Sequence, residues 1–473
     1  MLLRLDKTKK EAFIYQQIYE EIKAIILAGK IHANEKLPSK RTLATQLNVS
    51  VNTITHAYEQ LLAEGYIYTI EKKGYYVEAI TAFIQDKQPV RTLPDDLREE
   101  SVDKKGWLSL SHMASDITKF PFKSWIKCQQ KAINQHKQEL SEFPHPQGPF
   151  IVRKTIARMI TLSRGVVCEP EQVVIGAGTQ LLIRQLMESK TEKTRIAMEN
   201  PGYSRFYTLL KNMEFPVQLV DLDNKGMNIE RAEQSKANLL FVTPSHQFPT
   251  GKIMPISRRI ELLNWSLQNN DRYILEDDYD SEFKYETDNI PSLQSLDRNQ
   301  RVIYTGTFSK TILPGLRISY MVLPPKLLRD YQNHHQHLIQ NSNALALYTL
   351  HYFIQTGEYD RHVKRMNHYY KVKRKKLVTY LRSYFKHTIS IEDIPAGLHF
   401  VATFKTEKRY EEVETHAKKE KLEIYSMRRF MLQHQPKQPG KIKLIIGFAN
   451  LQDEDIEEAV NRLGKCVGIH HGY

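Results

Sequence analysis

The chain has 473 residues, of which 41% are hydrophobic and 26% charged, with 20 Gly, 20 Pro and a net charge of +14. At about 150 residues per domain this length implies two or three globular units. The composition excludes collagen-like, low-complexity and largely disordered polymers. The positive charge favours a polyanionic partner and equally suits a basic cytosolic enzyme. Cys128, Cys168 and Cys466 are odd in number and far apart, so neither a disulfide framework nor a zinc cluster is expected, and no metal. No stretch approaches the roughly 18 apolar residues of a bilayer span, and a cytoplasmic protein without membrane association is expected.

Residues 12–28 (AFIYQQIYEEIKAIILA) place Ile14, Ile18, Ile22 and Ile25 at helical spacing before Gly29, which predicts an amphipathic helix. Ser39 can cap a short helix ending near Leu47, and Ser50 a second one running to Glu64, with Asn48, Val49 and Ser50 as the turn between them. YIYTI and GYYVEAI then flank Glu71, Lys72, Lys73 and Gly74, the pattern of a hairpin. Helix, helix-turn-helix and hairpin make a winged helix over residues 1–80. Its second turn-flanking helix begins at Ser50 and offers Asn52, Thr53, Thr55 and His56 to a major groove of double-stranded operator DNA, while Lys40, Arg41, Lys72 and Lys73 can meet phosphates.

Pro38-Ser39, Lys40-Arg41, Leu43-Ala44, Val49-Ser50, Ala57-Tyr58 and Glu64-Gly65 resemble the GntR family of bacterial repressors. Val51 stands where that family commonly has arginine, so one expected DNA contact is missing. Residues 1–80 hold 11 basic and 9 acidic side chains, so +12 of the net +14 lies downstream. Residues 81–107 are polar, carry Pro89 and Pro94, and read as a linker.

From residue 108 onward, the runs QVVIGAG, RIAMEN, NLLFVTP, YILEDDY and RVIYTG alternate with longer helical patterns, the rhythm of an α/β fold with a mostly parallel central sheet. Functional groups in such sheets gather at the carboxyl ends of strands. There stand Gly178 and Thr179 before a helix, Asp277 with Tyr279 two residues on, Thr307-Phe308-Ser309-Lys310, and Arg317. A lysine can form a Schiff base with an aldehyde, a carboxylate can hold a pyridine nitrogen protonated, a phenol can bond the neighbouring oxygen, and hydroxyls with an arginine can hold a phosphate. Together these needs describe pyridoxal 5′-phosphate.

The order of these elements resembles the PLP-dependent fold type I aminotransferases over residues 108–473. The resemblance implies Lys310 as the Schiff-base lysine, Asp277 at the pyridinium nitrogen, Tyr279 at the phenolic oxygen and Tyr203 stacked on the ring. It places Gly178, Thr179, Thr307, Ser309 and Arg317 around the phosphate. It also implies a small domain from about residue 345, whose IYSMRRF segment offers Arg429, or by a one-residue slip Arg428, to a ligand carboxylate; Arg205 is a second candidate. TPSHQFPTG (243–251) lacks both asparagines usual in aminotransferases, and His145 stands where a tyrosine is common. Both departures weigh against efficient transamination.

A GntR-like winged helix joined to an aminotransferase-like domain resembles the MocR regulators along the whole chain. Within that family the likeness is to members that respond to γ-aminobutyrate (GABA). This implies a homodimer, in a domain-swapped form with each winged helix on the partner's large domain. It also implies GABA or a similar amino acid held as an external aldimine, activation of GABA-use genes, repression of the regulator's own gene and at most partial transamination. The alternatives are a PLP-sensing regulator of vitamin B6 synthesis and a working aminotransferase. Residues 361–376 (RHVKRMNHYYKVKRKK) contain eight basic residues and no acid. They read either as a solvated helix or as a second DNA contact.

Overall fold

A computed structural model describes residues 13–79, 93–99, 104–113, 116–190, 193–286, 290–392, 396–433 and 440–469. Residues 81–92 and 100–103 of the expected linker lie outside them. The chain divides into two units, Met1–Asp103 and Lys104–Tyr473. Among the described residues no helix is long and apolar enough to cross a membrane, and the three cysteines are free thiols.

In the first unit, helices α1 (Ile14–Leu27), α2 (Lys40–Leu47) and α3 (Val51–Ala63) precede the antiparallel hairpin β1 (Ile67–Ile70) and β2 (Gly74–Val77). The hydroxyls of Ser39 and Ser50 accept the backbone N–H of Thr42 and Thr53, each at 3.1 Å, and so satisfy free donors at the starts of α2 and α3. Asn48 ends α2 in the left-handed region at φ 51°, a conformation asparagine tolerates. That residue turns the chain into α3. The α1 residues buried in the core are Ile18, Tyr19, Ile22 and Ile26; of the expected face, Ile25 is half-buried and Ile14 is 39% exposed. These residues close on Leu43, Ile54, Tyr58, Leu61, Ile67 and Val77.

The second unit begins with β3 (Leu108–Ser109), α4 (Phe122–Gln135), α5 (Phe150–Arg164), β4 (Val173–Gly176) and α6 (Thr179–Glu188). It continues through β5 (Ile196–Asn200), α7 (Ser204–Asn212), β6 (Val217–Asp223), β7 (Gly226–Met227), α8 (Ile229–Gln234) and β8 (Leu239–Val242). After α9 (Ile256–Leu267) come β9 (Tyr273–Asp278), β10 (Val302–Thr307) and β11 (Ser319–Val322). The sheet order is β4-β11-β10-β9-β8-β5-β6-β7. The five apolar runs are β4, β5, β8, β9 and β10, with parallel pairing from β10 through β9, β8 and β5 to β6. β11 is antiparallel to both β10 and β4. The parallel strands β5, β8 and β9 are buried residue for residue, as expected where helices cover both faces.

The rest comprises α10 (Pro325–His335), α11 (Ala344–Gln355), α12 (Glu358–Phe385), β12 (Ile389–Ile391), β13 (His399–Lys405), α13 (Tyr410–Lys419), β14 (Leu422–Glu423), β15 (Tyr425–Ser426), β16 (Lys441–Gly447) and α14 (Ile456–Val467). The small domain does not start near residue 345. Leu347, Leu350 and Phe353 of α11 pack with α4, α5 and the large sheet, and the second core takes over along α12 from Met366. Leu110 belongs to that second core too. The chain entering this unit therefore joins the small domain first, pairing β3 parallel with β14.

The basic run of α12 is not uniformly solvated. Lys373 is 1% and Arg374 7% exposed. Lys373 lies 3.5 Å from Asp116 Oδ2 and donates to the Leu451 carbonyl. At helical spacing it falls between Tyr370 and Leu377 on the core side, so burial, not solvent, sets its role. Lys364, Arg365, Lys371 and Lys375 remain exposed.

Candidate functional site

Three consecutive acids end β9, and strand alternation sends them to opposite faces. Glu276 accepts the backbone N–H of Leu293 (2.8 Å) and Gln294 (2.9 Å). Asp278 accepts from Arg164 Nε at 2.7 Å and from the Tyr304 hydroxyl at 2.6 Å. Asp277, between them, accepts from Thr305 Oγ1 at 2.9 Å, its partner in the parallel β9/β10 register. Burial, opposed by that single hydroxyl, pushes the Asp277 carboxyl up to about 7. A buried carboxylate with no cation beside it among the described residues invites one.

Lys310 follows β10, and its Nζ donates to the His112 carbonyl at 2.5 Å. Burial pushes its amine down to about 8, with Asp280 opposing the shift. An amine so placed is a nucleophile near neutrality. Burial, reinforced by the cations Lys310, Arg205 and Arg429, lowers the His112 imidazole to about 3. The His112 ring packs against Phe248, Tyr425 and Phe430. The Arg429 guanidinium lies 5.0 Å from the centre of the Tyr425 ring. Arg428 instead pairs with Glu411, so of the two arginines Arg429 is the one beside His112. Arg205 is exposed and points a guanidinium nitrogen at Met113 Sδ, 3.8 Å away. Tyr203 meets Phe206 and Phe248 edge-on at 4.6 and 5.4 Å. Burial raises its hydroxyl pKa against the influence of Arg205.

A hydroxyl chain lies at the ends of β10 and β11. Thr179 Oγ1 donates to Ser319 Oγ (3.4 Å), Ser319 to Thr307 (2.8 Å) and Thr307 to Ser309 (3.1 Å). Arg317 donates to the Ala177 carbonyl at 3.1 Å, and a Cβ at position 178 would collide with its guanidinium. Gly178, at φ 114°, is therefore required both by its backbone and by its neighbour. The first N–H groups of α6 open beside these hydroxyls and this arginine, an arrangement built for an anion. Ser319, Thr305 and His112 escaped the sequence reading. Thr305 was findable as the residue opposite Asp277 once two parallel strands were aligned. Ser319 needed the antiparallel β11, and His112 carries no strand or motif signal.

Tyr279 ends the β9 segment with its hydroxyl oxygen 3.0 Å from His246 Nδ1. TPSHQFPTG forms the facing wall. Gln247 Nε2 donates to Glu199 Oε2 at 3.1 Å, and Glu199 is pushed up to about 7 by burial. His145 is exposed and accepts the Gln147 N–H at 3.2 Å, in a cleft with Phe143 and Phe150.

In the winged helix, α3 buries Ile54, Ala57, Tyr58 and Leu61, which leaves Asn52, Thr55 and His56 on the opposite side. Thr53 Oγ1 is hydrogen-bonded to Ser50 Oγ at 2.8 Å, the hydroxyl that caps α3. Arg41 and Lys73 are exposed. Lys72 sits at the hairpin tip with φ 58°, and Lys40 lies over the Tyr75 ring at 5.3 Å.

Residues 14–77 match the bacterial regulatory proteins of the gntR family, and residues 104–463 match aminotransferase class I and II. The chain belongs to the MocR-type transcriptional regulators, in which a GntR helix-turn-helix is fused to a fold type I aminotransferase domain. It is 37% identical over 451 residues to the uncharacterized HTH-type transcriptional regulator YdeL of Bacillus subtilis (strain 168), covering 95% of this chain and 96% of that protein. It is 31% identical over 475 residues to the probable rhizopine catabolism regulatory protein MocR of Rhizobium meliloti, covering 95% and 93%. In fold it is similar to LysN, an α-aminoadipate aminotransferase of Thermus thermophilus crystallised with N-(5′-phosphopyridoxyl)-L-leucine. There the TM-score is 0.68 at 21% identity, with 77% of this chain and 92% of that one covered.

Proposed function

We propose that this regulator carries pyridoxal 5′-phosphate in its second unit and reads an amino acid there, with GABA the favoured effector. When bound, the cofactor supplies an aldehyde that condenses with primary amines. Lys310 is the resident amine, Asp277 meets the pyridine nitrogen, Tyr279 the phenolic oxygen and Tyr203 the ring face. Gly178, Thr179, Thr307, Ser309 and Arg317 take the phosphate. The residues fit that group: the uncompensated Asp277 suits a cationic ring nitrogen, and the hydroxyls with Arg317 and the α6 N-terminus suit a phosphate. The phosphopyridoxyl compound in LysN, a protein of the same fold, agrees with this.

The observation that carries the effector reading is that Lys310 donates to the His112 carbonyl, Arg205 reaches the neighbouring Met113, and Arg429 lies over Tyr425, the ring packed on His112. Arg429 would bind the effector carboxylate in a charge-assisted pair, with Arg205 as second partner, and so set the effector amine toward the Lys310 end of the site. NPGYSRFYTLLKN, EDDYDSEF and AGLHF resemble GabR, the GABA-responsive regulator, and favour GABA, activation of its utilisation genes, repression of the protein's own gene and at most partial transamination. Asn52, Thr55 and His56 read operator bases while Lys40, Arg41, Lys72 and Lys73 hold phosphates. The reading includes a cytoplasmic homodimer, for which exposed Phe143 (82%), Phe150 and Ile151 offer an apolar face.

The test is the visible spectrum of the purified protein with PLP, titrated with GABA. A band lost in Lys310→Ala, borohydride labelling of Lys310 and a GABA-dependent shift are expected. A band that ignores amino acids would favour PLP sensing, and a label on another lysine would overturn the cofactor assignment.

A further inference from the structure

His246 and Asp280 have no part in the assignments above, yet each is 2% exposed and both touch Tyr279 or its neighbour. His246 Nδ1 lies 2.9 and 3.2 Å from the two Asp280 oxygens and 3.0 Å from the Tyr279 hydroxyl oxygen. Two oxygens from different residues therefore meet one ring nitrogen. A carboxylate only accepts hydrogen bonds, so its contact requires the proton to sit on Nδ1. A protonated ring nitrogen has no lone pair to receive the phenol proton.

The other ring nitrogen points to the same tautomer. His246 Nε2 is buried and has no hydrogen-bond partner among the described residues. A buried N–H without an acceptor is rarer than an acceptor without a donor, so Nε2 is the bare nitrogen. Gly397, at φ 72°, packs so close to the ring that a Cβ there would collide with it. His399 covers it at 4.9 Å between ring centres.

With Nδ1–H directed at Asp280 and Tyr279, the Tyr279 oxygen accepts and its own proton must point elsewhere. Glu199, Asp277, Asp278 and Asp280 are the acids that act on this phenol; Lys310 and His112 lie across the site, and His399 lies beside His246. We propose that Asp280 and His246 form a positioning pair that turns the Tyr279 hydroxyl proton away from themselves and toward the phenolic oxygen of the bound cofactor. Tyr279 thereby presents a donor, polarised by the N–H behind it, in a chain whose TPSHQFPTG segment lacks both asparagines. The pair's role rests on the PLP reading of the site; its tautomer does not.

Two measurements separate these. Nitrogen-15 histidine spectra of the full chain without cofactor, with His246 assigned by its loss in His246→Asn, are expected to show the Nδ1–H tautomer; an Nε2–H tautomer overturns the proposal. With PLP loaded, the pH midpoint of the visible band is expected to rise in Tyr279→Phe, since the phenolate loses a donor, and to rise by less in His246→Phe. His246→Asn, which keeps an N–H near the position of Nδ1, should restore it. His246→Phe should add nothing once Tyr279→Phe is present. An unchanged midpoint in His246→Phe, or shifts that add in the double variant, would overturn the proposal. A wild-type protein with no visible band would overturn the cofactor reading instead, leaving the tautomer result standing.

Discussion

The two faces of the β9 strand end carry the same chemistry to opposite purposes. On one, Asp278 Oδ2 takes Arg164 and Tyr304, while its Oδ1 has no partner among the described residues, and Glu276 takes two backbone N–H groups. On the other, Asp277 has one threonine hydroxyl. A buried acid with all its partners from its own chain holds the fold, whereas one left short of a cation costs stability and is retained for what it binds. The paired arginines of the small domain repeat the contrast: Arg428 has Glu411, while Arg429 rests on an aromatic ring.

The comparison breaks first at its closed side. Arg164→Met should lower unfolding free energy by about 3–5 kcal/mol, read from urea denaturation, because it strands Asp278. Asp278→Asn in the same chain should recover part of this loss, and a neutral Arg164→Met would mean the closed face is not structural.

Asp277→Asn should act in the opposite direction. A carboxyl whose folded value, about 7, exceeds its ordinary one binds more protons when folded. The cofactor-free protein therefore loses stability as pH rises from about 4 to about 7. The asparagine variant should be the more stable above pH 7, by at most about 4 kcal/mol, with the gap closing toward pH 4. It should also bind PLP more weakly; equal stability at both pH values would remove the asymmetry between the faces.

Arg429→Ala should weaken the GABA-dependent spectral shift by about 1.5–3 kcal/mol, roughly 10- to 150-fold, and leave the PLP band intact. Arg428→Ala should leave the titration unchanged. On the DNA side, Asn52→Ala should cost about 1–3 kcal/mol at the operator and relax its sequence preference. The smallest effect belongs to α12, where Lys371→Gln with Lys375→Gln should stay within about 0.5 kcal/mol in stability. Lys373→Gln, which removes the cation 3.5 Å from Asp116, should be plainly destabilising.

Local patterns foretold much of this. The caps at Ser39 and Ser50, the five strand runs and the order Asp277, Tyr279, Lys310, Arg317 are all short-range signals, each readable from a few neighbouring residues. What stayed hidden depends on residues far apart in sequence. Ser319 joins Thr307 across an antiparallel pair, His112 reaches Lys310 over 198 positions, and His246 meets Asp280 over 34. The burial of Lys373 and Arg374 has the same origin. Eight charges in sixteen residues suggest water or DNA, and only the packing of α12 shows that these two are buried, Lys373 beside Asp116.

The pairing of β3 with β14 bears on how the molecule is made. Leu108 takes Leu422 as its register partner, so the segment that delivers His112 to Lys310 cannot settle until more than three hundred further residues have left the ribosome. The winged helix closes its core from residues 18 to 77 and has every contact it needs long before. N-terminal domains fold first during synthesis, and here the order is extreme: the GntR helix-turn-helix is complete while much of the aminotransferase domain is still unwritten. A nascent chain stalled before Leu422 would carry a finished winged helix and an unfinished second unit.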